Sequence, residues 1–215
     1  MKTADIYTKY QIPENLQLHM YRVAAVGLVV ADFIGDEIKL DKDIVTTTLL
    51  LHDVGNIIKF NLEHNSLLAD EEIARLKQIK EEFILKYGNE EHEATLKIVN
   101  ELNVPAKVID ILENTGSSKI HLTIESDDWY RKVCSYADFR VAPYGVVSVE
   151  ERFADVIKRY EGRDHVLADI EKTIQKKNNC LVLEHQIQEK SKLPLSTIDN
   201  EKIEALIEEL KAYNI

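Results

Sequence analysis

The sequence predicts an all-α fold, and three plain observations suffice to reach it. The chain of 215 residues holds only seven glycines and four prolines, too few for the many tight turns of a sandwich or barrel. Apolar residues recur every three or four positions along most of its length, the period of one buried helix face. The prolines (Pro13, Pro105, Pro143 and Pro194) fall between the periodic segments rather than inside them, where they can start or end a helix without breaking one.

Each element follows from local signals. The first long helix is predicted from about Glu14 to Ile34, with Leu16, Met20, Val23, Val30 and Ile34 near one face. Gly35-Asp36 ends it, and Asp41 caps the next helix, which is read to about Phe60. Asn65 or Ser66 begins a third, its period carried by Ile73, Leu76, Phe83 and Tyr87 and its end set by Gly88. Helices are predicted from about Glu90 to Leu102 and from Pro105 to about Glu113. Gly116-Ser117-Ser118 reads as a loop and His121-Leu122-Thr123-Ile124 as extended. Asp127 or Asp128 caps a helix to about Val141, and Pro143-Tyr144-Gly145 is a turn. Helices follow near Ser148–Tyr160, Asp164–Lys190 and Asp199–Tyr213. This organisation suggests a core over residues 1–162 and a C-terminal helical extension over 163–215, packed on the core or on a partner.

Composition limits the function. Lys and Arg number 27 against 38 Asp and Glu, a net charge of −11. Such a surface repels phosphate backbones, so a nucleic-acid coating role is not expected. A local basic pocket for a small anion remains compatible. The longest apolar candidate, Val23–Ile34, is interrupted by Asp32 and falls short of the ~20 residues that span a bilayer. No apolar signal-peptide core follows Met1-Lys2-Thr3-Ala4-Asp5. Cys134 and Cys180 form neither a disulfide framework nor a CxxC pair. They read as small core residues of a reduced, cytoplasmic protein.

Four positions carry chemistry. His19 lies in line with Val23 and Val26. His52 follows three leucines and precedes Asp53. His92 lies in line with Leu96 and Val99, and Asp138 shares a face with Cys134 and Val141. An ionised Asp on a buried face is costly unless it is paired or bound to a cation. Taken singly, each of these residues also reads as a hydrogen-bonded core residue. The adjacent His52-Asp53 pair favours a metal. Successive helical side chains diverge by about 100°, so both reach one ion only where helices cross. A bundle interior offers such crossings. The donor set suits a divalent ion such as Mn, Fe, Co, Ni, Zn or Mg. His64, His165 and His185 sit in polar contexts and read as surface residues, and Trp129 reads as core.

The order of these residues and their surroundings resemble the HD superfamily of metal-dependent phosphohydrolases. The likeness is carried by His19-Met20-Tyr21-Arg22-Val23-Ala24, Leu50-Leu51-His52-Asp53-Val54-Gly55 and Tyr136-Ala137-Asp138-Phe139-Arg140, and it extends from Leu16 to Arg163. The resemblance implies an HD-domain-like helical bundle in which His19, His52, Asp53 and Asp138 hold one divalent metal. It also implies hydrolysis of a small phosphorylated molecule, a nucleotide among the candidates, by a metal-activated water that Asp53 orients or deprotonates. Relatives with two metals supply further histidines. His92 falls where the first of these is expected, whereas Asn114 occupies the place of the next, with His121 downstream as a substitute. One tightly held metal is therefore expected and a second stays open. Asn56 stands where many relatives carry Lys or a carboxylate, and it can serve as neither acid nor base. Lys59 (two helical turns on from His52), Arg22 (one turn after His19) and Arg140 (beside Asp138) are the candidate cations for a phosphate, each also readable as a structural residue. An HD-fold di-iron oxygenase and a non-catalytic metal- or nucleotide-binding module are the rival readings. The expected partner is the small phosphorylated substrate, with no membrane; a homodimer stays open.

Overall fold

A computed structural model describes residues 1–62, 69–162 and 168–215. Its helices are α1 (Thr3–Lys9), α2 (Glu14–Phe33), α3 (Lys42–Leu51), α4 (Asp70–Tyr87), α5 (Glu91–Glu101), α6 (Ala106–Asn114), α7 (Ile120–Glu125), α8 (Trp129–Phe139), α9 (Val149–Tyr160), α10 (Ile170–Lys190) and α11 (Asn200–Lys211). The strands among the described residues are β1 (Val141–Ala142) and β2 (Gly145–Val146), which pair antiparallel with Val141 opposite Val146. The fold is all-α, as the periodicity and the scarcity of turn residues predict. The predicted helix starts at Asn65 or Ser66 and at Asp164, and the surface positions His64 and His165, lie outside the described residues.

Helix α2 is the axis of the molecule. It buries Leu16, Met20, Tyr21, Val23 through Gly27, Val29, Val30 and Ala31, so apolar residues surround it rather than forming one stripe. By length and composition it is apolar enough to cross a membrane, with a mean hydropathy of 1.2 over its most apolar window. That corrects the expectation that no segment approaches bilayer length. In the fold 61% of that window is buried, covered by α3, α8 and α11. Gly27 permits the closest of these approaches, because a Cβ there would overlap Leu49 Cδ1 of α3.

The caps fall where short polar side chains precede a periodic run. Asp41 accepts from Asp43 N, Asp128 from Tyr130 N and Arg131 N, and Asp199 from Lys202 N. Ser148 and Glu151 form a reciprocal capping box on α9. Three elements differ from expectation. Helix α1 is absent from the sequence reading because seven residues are too few to show a period. Tertiary bonds hold it instead: Thr3 N donates to Tyr213 O at 2.9 Å and Tyr7 OH to Leu50 O at 2.7 Å. The segment His121–Ile124 is helical rather than extended, since α7 turns Ile120 and Thr123 inward together against α10. Helix α3 ends at Leu51, well before Phe60, and a 3-10 turn follows at Asn56–Lys59.

The helices beyond residue 169 pack on the rest of the chain. Helix α10 lies on α7, α8 and α9, and α11 on α2 and α1. Cys180, Leu183, Ile187, Leu195, Ile198, Ile203 and Leu210 belong to the same hydrophobic core as α2. Cys134 and Cys180 are both buried free thiols, as read from the sequence, and Trp129 packs partly buried against the core.

Candidate metal centre

The early end of α3 creates the site. Gly55 lies against α5, where a Cβ would stand 2.5 Å from Glu91 O and 2.7 Å from Thr95 N. Gly55 N donates to Thr95 Oγ1 at 3.1 Å instead of continuing the helix. His52 and Asp53 thus occupy the turn that closes α3, with His52 still in helical backbone geometry, where α3 meets α2 and α8. Both side chains face His19 on α2, while Asp138, in the last turn of α8, stands against the two imidazoles but outside the group that His19, His52 and Asp53 form.

One ligand atom from each of His19, His52 and Asp53 lies within 4.8 Å of the other two. Asp53 Oδ2 stands 3.7 Å from His19 Nε2 and 3.7 Å from His52 Nε2. Asp138 Oδ1 stands 3.3 Å from His19 Nε2 and 3.7 Å from His52 Nε2. These separations exceed ordinary hydrogen bonds. They approach the roughly 3.0–3.4 Å that separates neighbouring ligands bound about 2.1 Å from one ion. All four side chains are partly buried.

The tautomer of His52 follows from its surroundings. Its Nδ1 lies 2.6 Å from Leu49 O. A carbonyl only accepts, so Nδ1 carries the proton and Nε2 is the nitrogen left to face the carboxylates. Among the described residues Nε2 is a buried polar atom without a hydrogen-bond partner, an arrangement that costs free energy unless something else fills the position. The backbone bond at Nδ1 is the outer-shell support that metal-bound imidazoles commonly have.

The electrostatics point the same way. Burial works to lower the pKa of His52, but Asp53 and Asp138 outweigh it and raise it to about 9. Burial works to raise the pKa of Asp138, yet the rings of His19 and His52 hold it well below the usual carboxylate range. Two carboxylates with no cation between them draw a proton onto the imidazole. A divalent ion at the same point balances them with the ring neutral.

Comparison with family models, curated proteins and solved structures yields no similarity strong enough to count. The likeness to the HD superfamily therefore rests on the order and context of the residues themselves.

The other candidates are dispersed. His92 lies in the first turn of α5 and does not join the group that His19, His52 and Asp53 form. Burial and the charge of Lys119 push its pKa down, with Glu91 and Lys59 as further neighbours. Asn114 turns back on its own helix, Nδ2 donating to Asp110 O at 2.9 Å, and His121 is exposed on α7. Asn56 opens the 3-10 turn, its backbone N donating to Asp53 O at 2.9 Å. His185 is exposed, as expected.

The three proposed cations have different fates. Lys59 no longer shares a helix with His52, because α3 has ended. Its ammonium is exposed and pairs with Glu91 Oε1 at 2.7 Å. Arg140 is 3% exposed and is committed to the fold. Nε donates to Val147 O, Nη1 to Tyr136 OH and Leu195 O, and Nη2 to Ile198 O. This corrects its reading as a phosphate partner: adjacency to Asp138 in sequence does not bring its guanidinium to the site. Arg22 is half-buried on α2, one turn from His19, with a long bond of 3.3 Å from Nη1 to Pro143 O. Among the described residues it is the one of the three held by neither an ion pair nor a full set of hydrogen bonds.

Proposed function

We propose that the protein is a metal-dependent phosphohydrolase of the HD type that acts on a small phosphorylated molecule, with a nucleotide as the leading candidate. His19, His52, Asp53 and Asp138 would hold one divalent ion. The observation that carries this reading is His52 Nε2: buried, unpartnered and aimed between two carboxylates and a second imidazole. When bound, the ion would polarise a phosphate oxygen and lower the pKa of a coordinated water. Asp53 is the carboxylate suited to accept or orient the proton of that water. Arg22 is suited to meet the negative charge on the phosphate. Asn56 cannot replace Asp53 in proton transfer, so the general-base role rests on the ligand carboxylates themselves.

Elemental analysis of the purified protein, with a hydrolysis screen over phosphomonoesters and nucleotides in the presence of Mn, Co, Ni, Zn or Mg, tests this reading. About one metal per chain and metal-dependent phosphate release are expected. Metal without turnover on any phosphorylated compound would overturn the catalytic reading in favour of a binding module. Two irons per chain with oxygen consumption would replace it with the oxygenase.

A further inference from the structure

Arg140 draws two backbone segments together. Its Nε donates to Val147 O ahead of α9, and its Nη1 and Nη2 donate to Leu195 O and Ile198 O between α10 and α11. Helix α10 flanks the second segment, where Gln188 Oε1 accepts from Leu195 N at 2.8 Å. These segments and α10 enclose an open cavity of about 590 Å³ with Arg140 in its wall. That size falls among sites for small organic molecules, roughly 300–1,000 Å³. None of the four candidate metal ligands lines it.

The wall combines apolar surface with charge of one sign. Val147, Leu181 and Leu195 supply apolar surface, and Glu150, Glu151, Glu184 and Asp199 supply carboxylates. Arg140 is the one lysine or arginine among the lining residues, and its donors are given to the fold. Three of the carboxylates are hydrogen-bonded at one oxygen only. Glu151 Oε2 accepts from Ser148 N and Oγ, Asp199 Oδ1 from Lys202 N, and Glu184 Oε1 from Tyr136 OH. Glu150 is exposed and forms no ion pair among the described residues. His185, also in the wall, lies 3.7 Å from Glu189 Oε1. Four carboxylates around one spent guanidinium attract cations and repel phosphates. The apolar surface favours a cation that carries an apolar body over a bare, strongly hydrated ion.

We propose that this cavity is a second binding site, for a small organic cation with an apolar body, such as an alkyl- or arylammonium. The apolar body lies on Leu181 and Leu195, and the ammonium meets Glu150 and Glu184 in charge-assisted hydrogen bonds. The site is independent of the phosphohydrolase reading.

Titration of phenylbutylammonium into the isotope-labelled 215-residue chain, followed by amide chemical shifts, tests this. Saturable binding is expected, with the shift changes gathered at residues 147–151, 181–188 and 195–199. Phenylbutanol and phenylbutyrate keep the ring and lose or reverse the charge; they should bind about tenfold more weakly or worse. Glu150→Gln and Glu184→Gln should each weaken the ammonium about threefold, and together about tenfold. Glu184→Gln keeps an acceptor for Tyr136 OH, and Glu150→Gln breaks no bond of the fold; melting temperatures check both. Glu71→Gln with Glu93→Gln, on α4 and α5, removes the same charge outside the cavity and should leave binding unchanged. Absence of saturable binding, equal affinity for the alcohol, or shifts centred on other residues overturns the proposal. So does wild-type affinity in the Glu150→Gln, Glu184→Gln pair, or an equal loss in the Glu71→Gln, Glu93→Gln pair. Each of these outcomes leaves the phosphohydrolase reading standing.

Discussion

At the scale of single residues, the two sides of the His52 ring divide the work. Leu49 O holds Nδ1, so the ring cannot rotate to bury Nε2 elsewhere. Asp53 is the ligand with most to lose by substitution, because both imidazoles lie 3.7 Å from the same Oδ2. Asp53→Asn is expected to lower metal affinity and turnover at least tenfold. The metal-free variant should still fold, because the isostere keeps the packing and only the favourable charge beside the His52 ring is lost. Elemental analysis and a thermal scan on the same sample check this, and full metal occupancy in the variant would exclude Asp53 as a ligand. Arg140 makes the opposite prediction. Arg140→Met leaves four buried acceptors without their donor and should cost about 3 kcal/mol or more of stability. Metal per folded molecule should stay unchanged. Denaturant titration paired with metal analysis separates the two effects. His92→Ala, from its place outside the three-residue group, should alter stability rather than metal stoichiometry; a fall from two metals to one would restore it as a ligand.

At the scale of elements, the end of α3 decides the geometry. Its apolar run continues past Leu51 through Val54, Ile57 and Ile58, and Gly55 is the local sign that the helix stops. The stop comes from α5, whose backbone occupies the space beside Gly55. Gly55→Ala should therefore cost about 1–3 kcal/mol, because the obstructing atoms are backbone and cannot step aside. It should also weaken metal binding by displacing the His52-Asp53 turn. Loss of stability with wild-type metal affinity would show that the turn holds without this contact. Helix α7 teaches a related lesson. Among its six residues the β-branched Ile120, Thr123 and Ile124 favour an extended reading, yet two inward positions three apart against α10 select the helix.

At the scale of the whole molecule, the C-terminal helices share the core instead of decorating it. Leu195 O and Ile198 O satisfy Arg140, and α11 covers one side of α2. A chain ending at Gly162 would expose that side of α2 and strand a buried guanidinium. It should lack a cooperative thermal transition, as read by circular dichroism across a melt. A sharp transition with metal binding retained would instead make residues 1–162 an independent unit.

Periodicity, caps and the order of His19, His52-Asp53 and Asp138 are local properties, so the sequence by itself determined the helical class, most helix limits and the ligand candidates. Asp41, Ser148 and Asp199 cap helices because their oxygens reach backbone N–H groups two or three residues ahead, whatever the rest of the chain does. What only the tertiary structure decided is which charges are free and where α3 stops. Arg140 and Lys59 look as available in the sequence as Arg22. Their partners, Leu195, Ile198 and Glu91, lie tens of residues away, and a cation's freedom depends on what is packed against it.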